Sequence, residues 1–272
     1  MANYDKWSCL ERARKLLTSA DDDSLRYASL ELRFCIEAII YEKLDTYSRY
    51  VPGAVFEKWQ PNHALKMLLQ FEPDADEDFT LYVSPESEPG KPTGNWTCLG
   101  QHNAVKLSWL NKNYNKLGSY LHVKLGNKNK GGTTEELSVN RKDIERMLSE
   151  LEPVINSDIV GATLATRVQF KCQACQQLSL VNADVLRKTG RATCISQQCG
   201  AEYTASEDAE GGWQFKLAMT SFKCLKCEKI NFLEIRHVDI GTKFRCNRCG
   251  EVHRIVGGQW NYERVTADRK TS

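Results

Sequence analysis

The sequence predicts a multidomain chain: an all-α helical bundle over residues 1–157, followed by two small β-rich modules at 168–219 and 220–265. Three observations lead there. Apolar residues recur at helical spacing in five stretches before residue 157. Eight of the eleven cysteines lie beyond residue 170, in four pairs. Those pairs repeat one spacing twice, so the C-terminal part is a tandem.

The first predicted helix covers Tyr4 to Thr18, where Trp7, Leu10, Ala13, Leu16 and Leu17 share a face. The second, Ser24 to Leu44, follows the capping run Asp21-Asp22-Asp23. It is apolar on several sides (Leu25, Leu32, Cys35, Ile36, Ile39, Ile40) and is therefore the central helix. A third spans about Val55 to Phe71, with Pro61 as a break or a first turn. A fourth spans about Ala104 to Leu125. A fifth spans about Arg141 to Asn156, with Ile144, Met147, Leu148 and Leu151 on one face. Two stretches read as loops: the proline-rich, acidic Glu72 to Gly100 and the polar, glycine-rich Gly126 to Thr134.

The cysteine tandem runs Cys172-x2-Cys175, eighteen residues, Cys194-x4-Cys199, then Cys224-x2-Cys227, eighteen residues, Cys246-x2-Cys249. Both copies open on Phe-Lys-Cys and close on Cys-Gly. A Cys-x2-Cys turn converges two sulfurs on one ion, and two such turns complete a tetrahedral zinc site. A glycine after the last cysteine suits the positive φ of a tight knuckle. The expectation is two zinc ribbons, each holding one Zn²⁺. Four thiolates fill each site, leaving no position for water, so both metals are structural rather than catalytic. Modules of this size have little core, so metal binding supplies folding energy. The rival reading, a disulfide framework, needs an oxidising compartment. The N-terminus has no apolar signal core and no segment has the length of a membrane span, so the expected compartment is the cytoplasm.

The fourth helix carries the candidate chemistry. Leu110, Tyr114, Leu117 and Leu121 form an apolar stripe. Asn111, Asn115, Ser119 and His122 form a polar face beside it, with Lys112 at its edge. A histidine there suits proton transfer, or equally a solvent-facing or capping position near a helix end. Arg33 and Glu37, spaced i, i+4, form either an ordinary ion pair or, partly buried, a pair that orders a cleft. The patterns Leu32-Arg33-x3-Glu37, Trp59-Gln60-Pro61 and Tyr114-x2-Leu117-x4-His122 together resemble the HEPN domain, over roughly residues 1–157. The resemblance implies a dimeric helical domain of bacterial defence, toxin or RNA-processing systems. It also implies metal-independent RNA cleavage, in which the ribose 2′-hydroxyl attacks the adjacent phosphate. His122 then carries the chemistry, with Lys116, Asn115, Ser119, Arg33 and Glu37 as further candidates. Where that family has an arginine before its histidine, this chain reads Asn115-Lys116-Leu117-Gly118.

The formal net charge is +2. Residues 168–272 carry a balance of +5, which falls to about +1 once four thiolates around each Zn²⁺ are counted. The excess lies in the second ribbon. Lys223, Lys226, Lys229, Lys243, Arg245, Arg248 and Arg254, with Phe222, Phe232, Phe244, His253 and Trp260 interleaved, suit the phosphates and bases of single-stranded nucleic acid. The sequence thus predicts a cytoplasmic protein that binds nucleic acid, RNA before single-stranded DNA, as a homodimer. The first ribbon serves as spacer or protein contact. Two alternatives stand beside it: a dimeric adaptor whose ribbons bind a protein, and a zinc-ribbon transcription accessory factor.

Overall fold

The computed structural model describes residues 5–19, 21–58, 60–122, 139–162, 165–196, 198–257 and 261–264. The chain divides into two compact units: Met1–Arg49 with Val55–Leu164, and Tyr50–Ala54 with Ala165–Ser272.

In the first unit, α1 (Lys6–Leu16) begins where the Asp5 carboxylate accepts the Ser8 amide at 2.8 Å. Asp21 starts α2 (Asp22–Thr46) in the same way, accepting from Ser24 N at 2.7 Å. Leu32, Cys35, Ile36 and Ile40 of α2 are buried, and this helix packs against α1, α3 (Pro61–Phe71), α4 (Leu107–Ser119) and α5 (Arg141–Ile155). Pro61 occupies the first turn of α3, where its missing N–H costs nothing.

The all-α expectation fails between α3 and α4. The stretch expected as a loop folds into β1 (Phe79–Val83), β2 (Glu86–Glu88), β3 (Lys91–Pro92) and β4 (Thr97–His102). β1 pairs antiparallel with β4, and β2 with β3. The first unit is therefore mixed α and β. The prolines exclude a helix there, but Phe79-Thr-Leu-Tyr-Val83 is a run of strand formers that a reading by proline and acid content passes over. The strands are anchored to the helices. Asp76 and Asp78 accept the amides of Leu107 and Ala104 at 2.9 and 2.7 Å. His102, at the end of β4, is buried with Nε2 3.0 Å from the buried Lys43 ammonium of α2. Its Nδ1 donates to Ile159 O at 2.6 Å.

α4 is shorter than predicted. It ends at Ser119, so His122 lies beyond the helix, and Val123 to Leu125 lie outside the described residues, as does the expected loop at 126–134. Among the described residues no helix is long and apolar enough to cross a membrane.

The second unit repeats one plan. The first copy is the hairpin β5 (Arg167–Lys171) and β6 (Leu178–Asn182), then α6 (Ala183–Thr189), then a sheet of β7 (Arg191–Thr193), β8 (Glu202–Glu207) and β9 (Trp213–Leu217). The second copy is the hairpin β10 (Met219–Lys223) and β11 (Ile230–Glu234), a 3-10 turn (Ile235–His237), and a sheet of β12 (Lys243–Arg245), β13 (Val252–Gly257) and β14 (Asn261–Arg264). Phe170 pairs with Ser179 in the first hairpin, and Phe222 with Asn231 in the second, at positions 52 residues apart.

Candidate metal centres and a polar pocket

Cys172, Cys175, Cys194 and Cys199 form one group, and Cys224, Cys227, Cys246 and Cys249 another, with all sulfurs of each group within 4.8 Å of one another. Across the turns, Cys172–Cys199 and Cys175–Cys194 are 3.7 and 3.5 Å apart, and Cys224–Cys249 and Cys227–Cys246 are both 3.6 Å. Metal–sulfur bonds of about 2.3 Å in a tetrahedron set sulfurs about 3.8 Å apart. A disulfide needs about 2.05 Å. Each group therefore fits one tetrahedral ion, and all eight cysteines are free thiols.

The knuckles follow from local backbone geometry. Cys172 N donates to Gln177 O and Gln176 N to Cys172 O, both at 2.9 Å. Cys224, Glu228 and Lys229 repeat both bonds at the same distance. Gln176 and Glu228 adopt positive φ (64° and 58°) to close these turns. Gly200 and Gly250 close the second turns at φ 57° and 71°, as the Cys-Gly endings lead one to expect.

Side chains behind the sulfurs complete each site. Ser179 Oγ donates to Cys194 Sγ at 3.9 Å and accepts Ile195 N at 3.3 Å. Its counterpart Asn231 donates to Cys246 Sγ at 3.5 Å and accepts Asn247 N at 2.8 Å. The Tyr203 hydroxyl accepts Gln173 N at 2.8 Å and lies 3.1 Å from Cys172 Sγ. The extra residues of Cys194-x4-Cys199 shift the repeat offset to 50, which puts His253 in place of Tyr203. His253 Nε2 accepts Leu225 N at 3.1 Å. Sequence reasoning missed these four supports, although the repeat offset pairs them.

Without a cation the clustered thiols cannot all ionise. Against burial, the Tyr203 hydroxyl and the amides of Cys175 and Ala174 draw Cys172 down to about 6. Burial, with the neighbouring sulfurs, pushes Cys194 up to about 12. In the second group the amide of Cys249, then that of Arg248, brings Cys246 to about 6. Against the amide of Glu251, burial and the neighbouring sulfurs push Cys249 to about 12. A divalent ion removes this conflict by accepting all four as thiolates.

The first unit brings together four of the six predicted catalytic candidates. Arg33, Asn115, Ser119 and His122, with Gln60, Asn62, Tyr114 and Gly118, line an open pocket of about 280 Å³. Arg33 reaches it from α2, its guanidinium 4.2 Å above the Tyr114 ring. The Tyr114 hydroxyl donates to Glu37 at 2.6 Å, so Glu37 stands behind the pocket. Burial and the Glu37 carboxylate hold that hydroxyl up at about 12. The Arg33 guanidinium lies directly over Gly118, where a Cβ would overlap its Nη1 in this position. Ser119 Oγ bonds back to Lys116 O at 2.7 Å, and Asn115 Nδ2 to Asn111 O at 3.0 Å. His122 is exposed at the rim. Lys116 is not part of the pocket: its ammonium is 2.7 Å from Asp143 of α5. Gln60 and Asn62 were not foreseen, since only the packing of α3 beside α4 puts them there.

The second ribbon departs from expectation at Phe244, which is buried against Phe222 and unavailable for base stacking. Trp260 lies outside the described residues, as does Trp59. Lys223, Lys226 and Arg254 pair with Glu228, Glu251 and Glu263. Lys243 and Arg245 are exposed on β12, and Lys243 stands directly opposite Arg254 on β13. Arg245 also donates to Gly250 O at 3.1 Å, and Arg248 gives its amide to Cys246 Sγ at 3.4 Å. Phe232 is exposed on β11, as base stacking requires, and Ile230, which the sequence reading did not single out, is exposed beside it on the same face. No family model, curated protein or solved structure matches the chain.

Proposed function

We propose that this chain is an RNA-directed protein that cleaves its substrate without a catalytic metal, on a scaffold stabilised by two structural zinc ions. The observation that carries the reading is the convergence of Arg33, Asn115, Ser119 and His122 on one open pocket. A guanidinium suits phosphate oxygens because its planar fork donates two parallel hydrogen bonds. An exposed imidazole exchanges protons near neutral pH. In the reaction the ribose 2′-hydroxyl loses its proton and attacks phosphorus. The bond from phosphorus to the 5′-oxygen breaks, and that oxygen takes up a proton. The products are a 2′,3′-cyclic phosphate and a 5′-hydroxyl. His122 serves the proton transfers, and Arg33 offsets the charge on the phosphate oxygens.

Zinc follows from the donor set, since four thiolates at tetrahedral spacing suit it well. Cys172, Cys175, Cys194 and Cys199 hold one ion, and Cys224, Cys227, Cys246 and Cys249 the other. RNA binding by the second ribbon is supported by Lys243 and Arg245, both exposed on β12, as cations for phosphate.

The test is incubation of zinc-loaded protein with RNA in the absence of other divalent ions. Cyclic-phosphate ends are expected, with a loss of about 100-fold or more in His122→Ala and Arg33→Ala. Intact RNA with wild type, or equal cleavage by His122→Ala, refutes the enzyme reading. Salt-sensitive RNA binding that weakens in Lys243→Glu supports the ribbon's part. The exposed Phe232 and Ile230 favour a second reading, in which that hairpin binds a protein. RNA binding unchanged by salt and by Lys243→Glu would favour it.

A further inference from the structure

One divergence between the two ribbons, after the first hairpin, joins them. After β6 the first ribbon continues into α6, capped by Asn182, whose side chain accepts Asp184 N at 2.9 Å. The residues 52 positions later are Glu234 and Arg236. There the helix is reduced to the single 3-10 turn Ile235–His237. In place of a cap, Glu234 grips Arg236, accepting from Nε at 2.6 Å. The freed guanidinium reaches the other ribbon. Arg236 Nη1 donates to Cys199 O at 2.5 Å and to Cys199 Sγ at 3.3 Å. Its side chain is only 20% exposed. One further bond follows the same seam: Ile235 N donates to Ala218 O at 3.1 Å, at the junction of the two copies.

We infer that Arg236 is a positioning residue that couples metal occupancy of the first four-cysteine site to the seating of the second ribbon upon the first. Cys199 is the last ligand of the first site, and both its acceptors used by Arg236 depend on the closed knuckle. With metal bound, Cys199 is a thiolate, and a charged acceptor roughly doubles the strength of such a bond. Groups that hydrogen-bond to metal ligands orient them and strengthen the site. The coupling is reciprocal: a seated second ribbon retains the first metal, and a filled first site holds the second ribbon in place. Among the described residues the second site has no counterpart, since Arg245, which bonds its knuckle, belongs to the same ribbon and contacts the Gly250 carbonyl. This inference rests on the metal reading of the cysteine groups and is independent of RNA cleavage.

The experiment loads the full chain with Co²⁺ and counts the ions bound. A chelator then times their release in wild type, Arg236→Ala and Arg236→Lys, while amide exchange is followed. Two ions are expected per chain. In Arg236→Ala, one should leave about tenfold faster and the other at the wild-type rate. The Cys194 amide, bonded to Ala201 O, and the Ile235 amide should lose protection, while the Cys246 amide keeps it. The thiolate-to-cobalt absorption of the first site should shift, because one sulfur loses a donor. Arg236→Lys, which keeps the charge without the fork, should fall between. Release of both ions at wild-type rates in Arg236→Ala overturns the coupling, as does equal acceleration of both. A wild-type chain that takes up no ions overturns the metal reading instead.

Discussion

At the scale of single residues, the least expected feature is the pairing of Lys43 with His102. Burial, opposed by Asp76 and Asp78 and aided by Lys106, depresses the Lys43 ammonium from 10.5 to about 8. Burial and then Lys43 itself hold His102 below its usual 6.5. Lys43 therefore loses its proton in the folded chain before it does in the unfolded chain. Between about pH 8 and 10.5 the unfolded state binds more protons, so this group makes stability rise with pH across that window, by about 2–3 kcal/mol. His102 acts at the other end: below 6.5 the unfolded chain binds the proton that the folded chain refuses, and stability falls as the pH drops. Urea unfolding of the full chain at a series of pH values checks both limbs, and Lys43→Met should remove the alkaline one. The Lys43 and His102 positions were silent in the sequence, because residues 59 apart meet only through β4 lying on α2.

Among elements, the approach of α2 to α4 decides the pocket. The polar and apolar faces of α4 are legible from the spacing of Leu110, Tyr114 and Leu117, all buried as periodicity requires. Arg33 arrives at the pocket from α2, its guanidinium lying over Gly118. Arg33→Ala should therefore lower RNA cleavage by about 100-fold while the circular dichroism of the helices persists. An Arg33→Ala protein that retains full cleavage would show that Arg33 has no part in the reaction. The strands between α3 and α4 illustrate the opposite difficulty. Their residues are mostly exposed, so no buried alternation marks them, and their pairing partners are separated by prolines and turns.

For the whole molecule, the dependence on metal should be uneven. The first ribbon buries a cluster that includes Phe170, Val181, Leu186, Ala192 and Tyr203, whereas the second buries Phe222, Phe244 and Ile255. Exhaustive chelation should abolish amide protection across β10–β13 while α2 keeps its own, because α2 is held by apolar packing within the first unit. Mass spectrometry of exchanged peptides checks this, and equal loss in both units would refute it. What the sequence by itself determined is the metal tandem: eight cysteines, their spacing and the closing glycines act within a few residues of one another, so local geometry suffices. It also indicated most of the first unit's helices, because amphipathic periodicity is a local property. The mixed α and β character of that unit, the assembly of Arg33 with His122, the burial of Phe244 and the reach of Arg236 to Cys199 emerged only on folding. Each of these joins residues distant in sequence, and such contacts are selected by packing and charge in three dimensions rather than by any pattern along the chain.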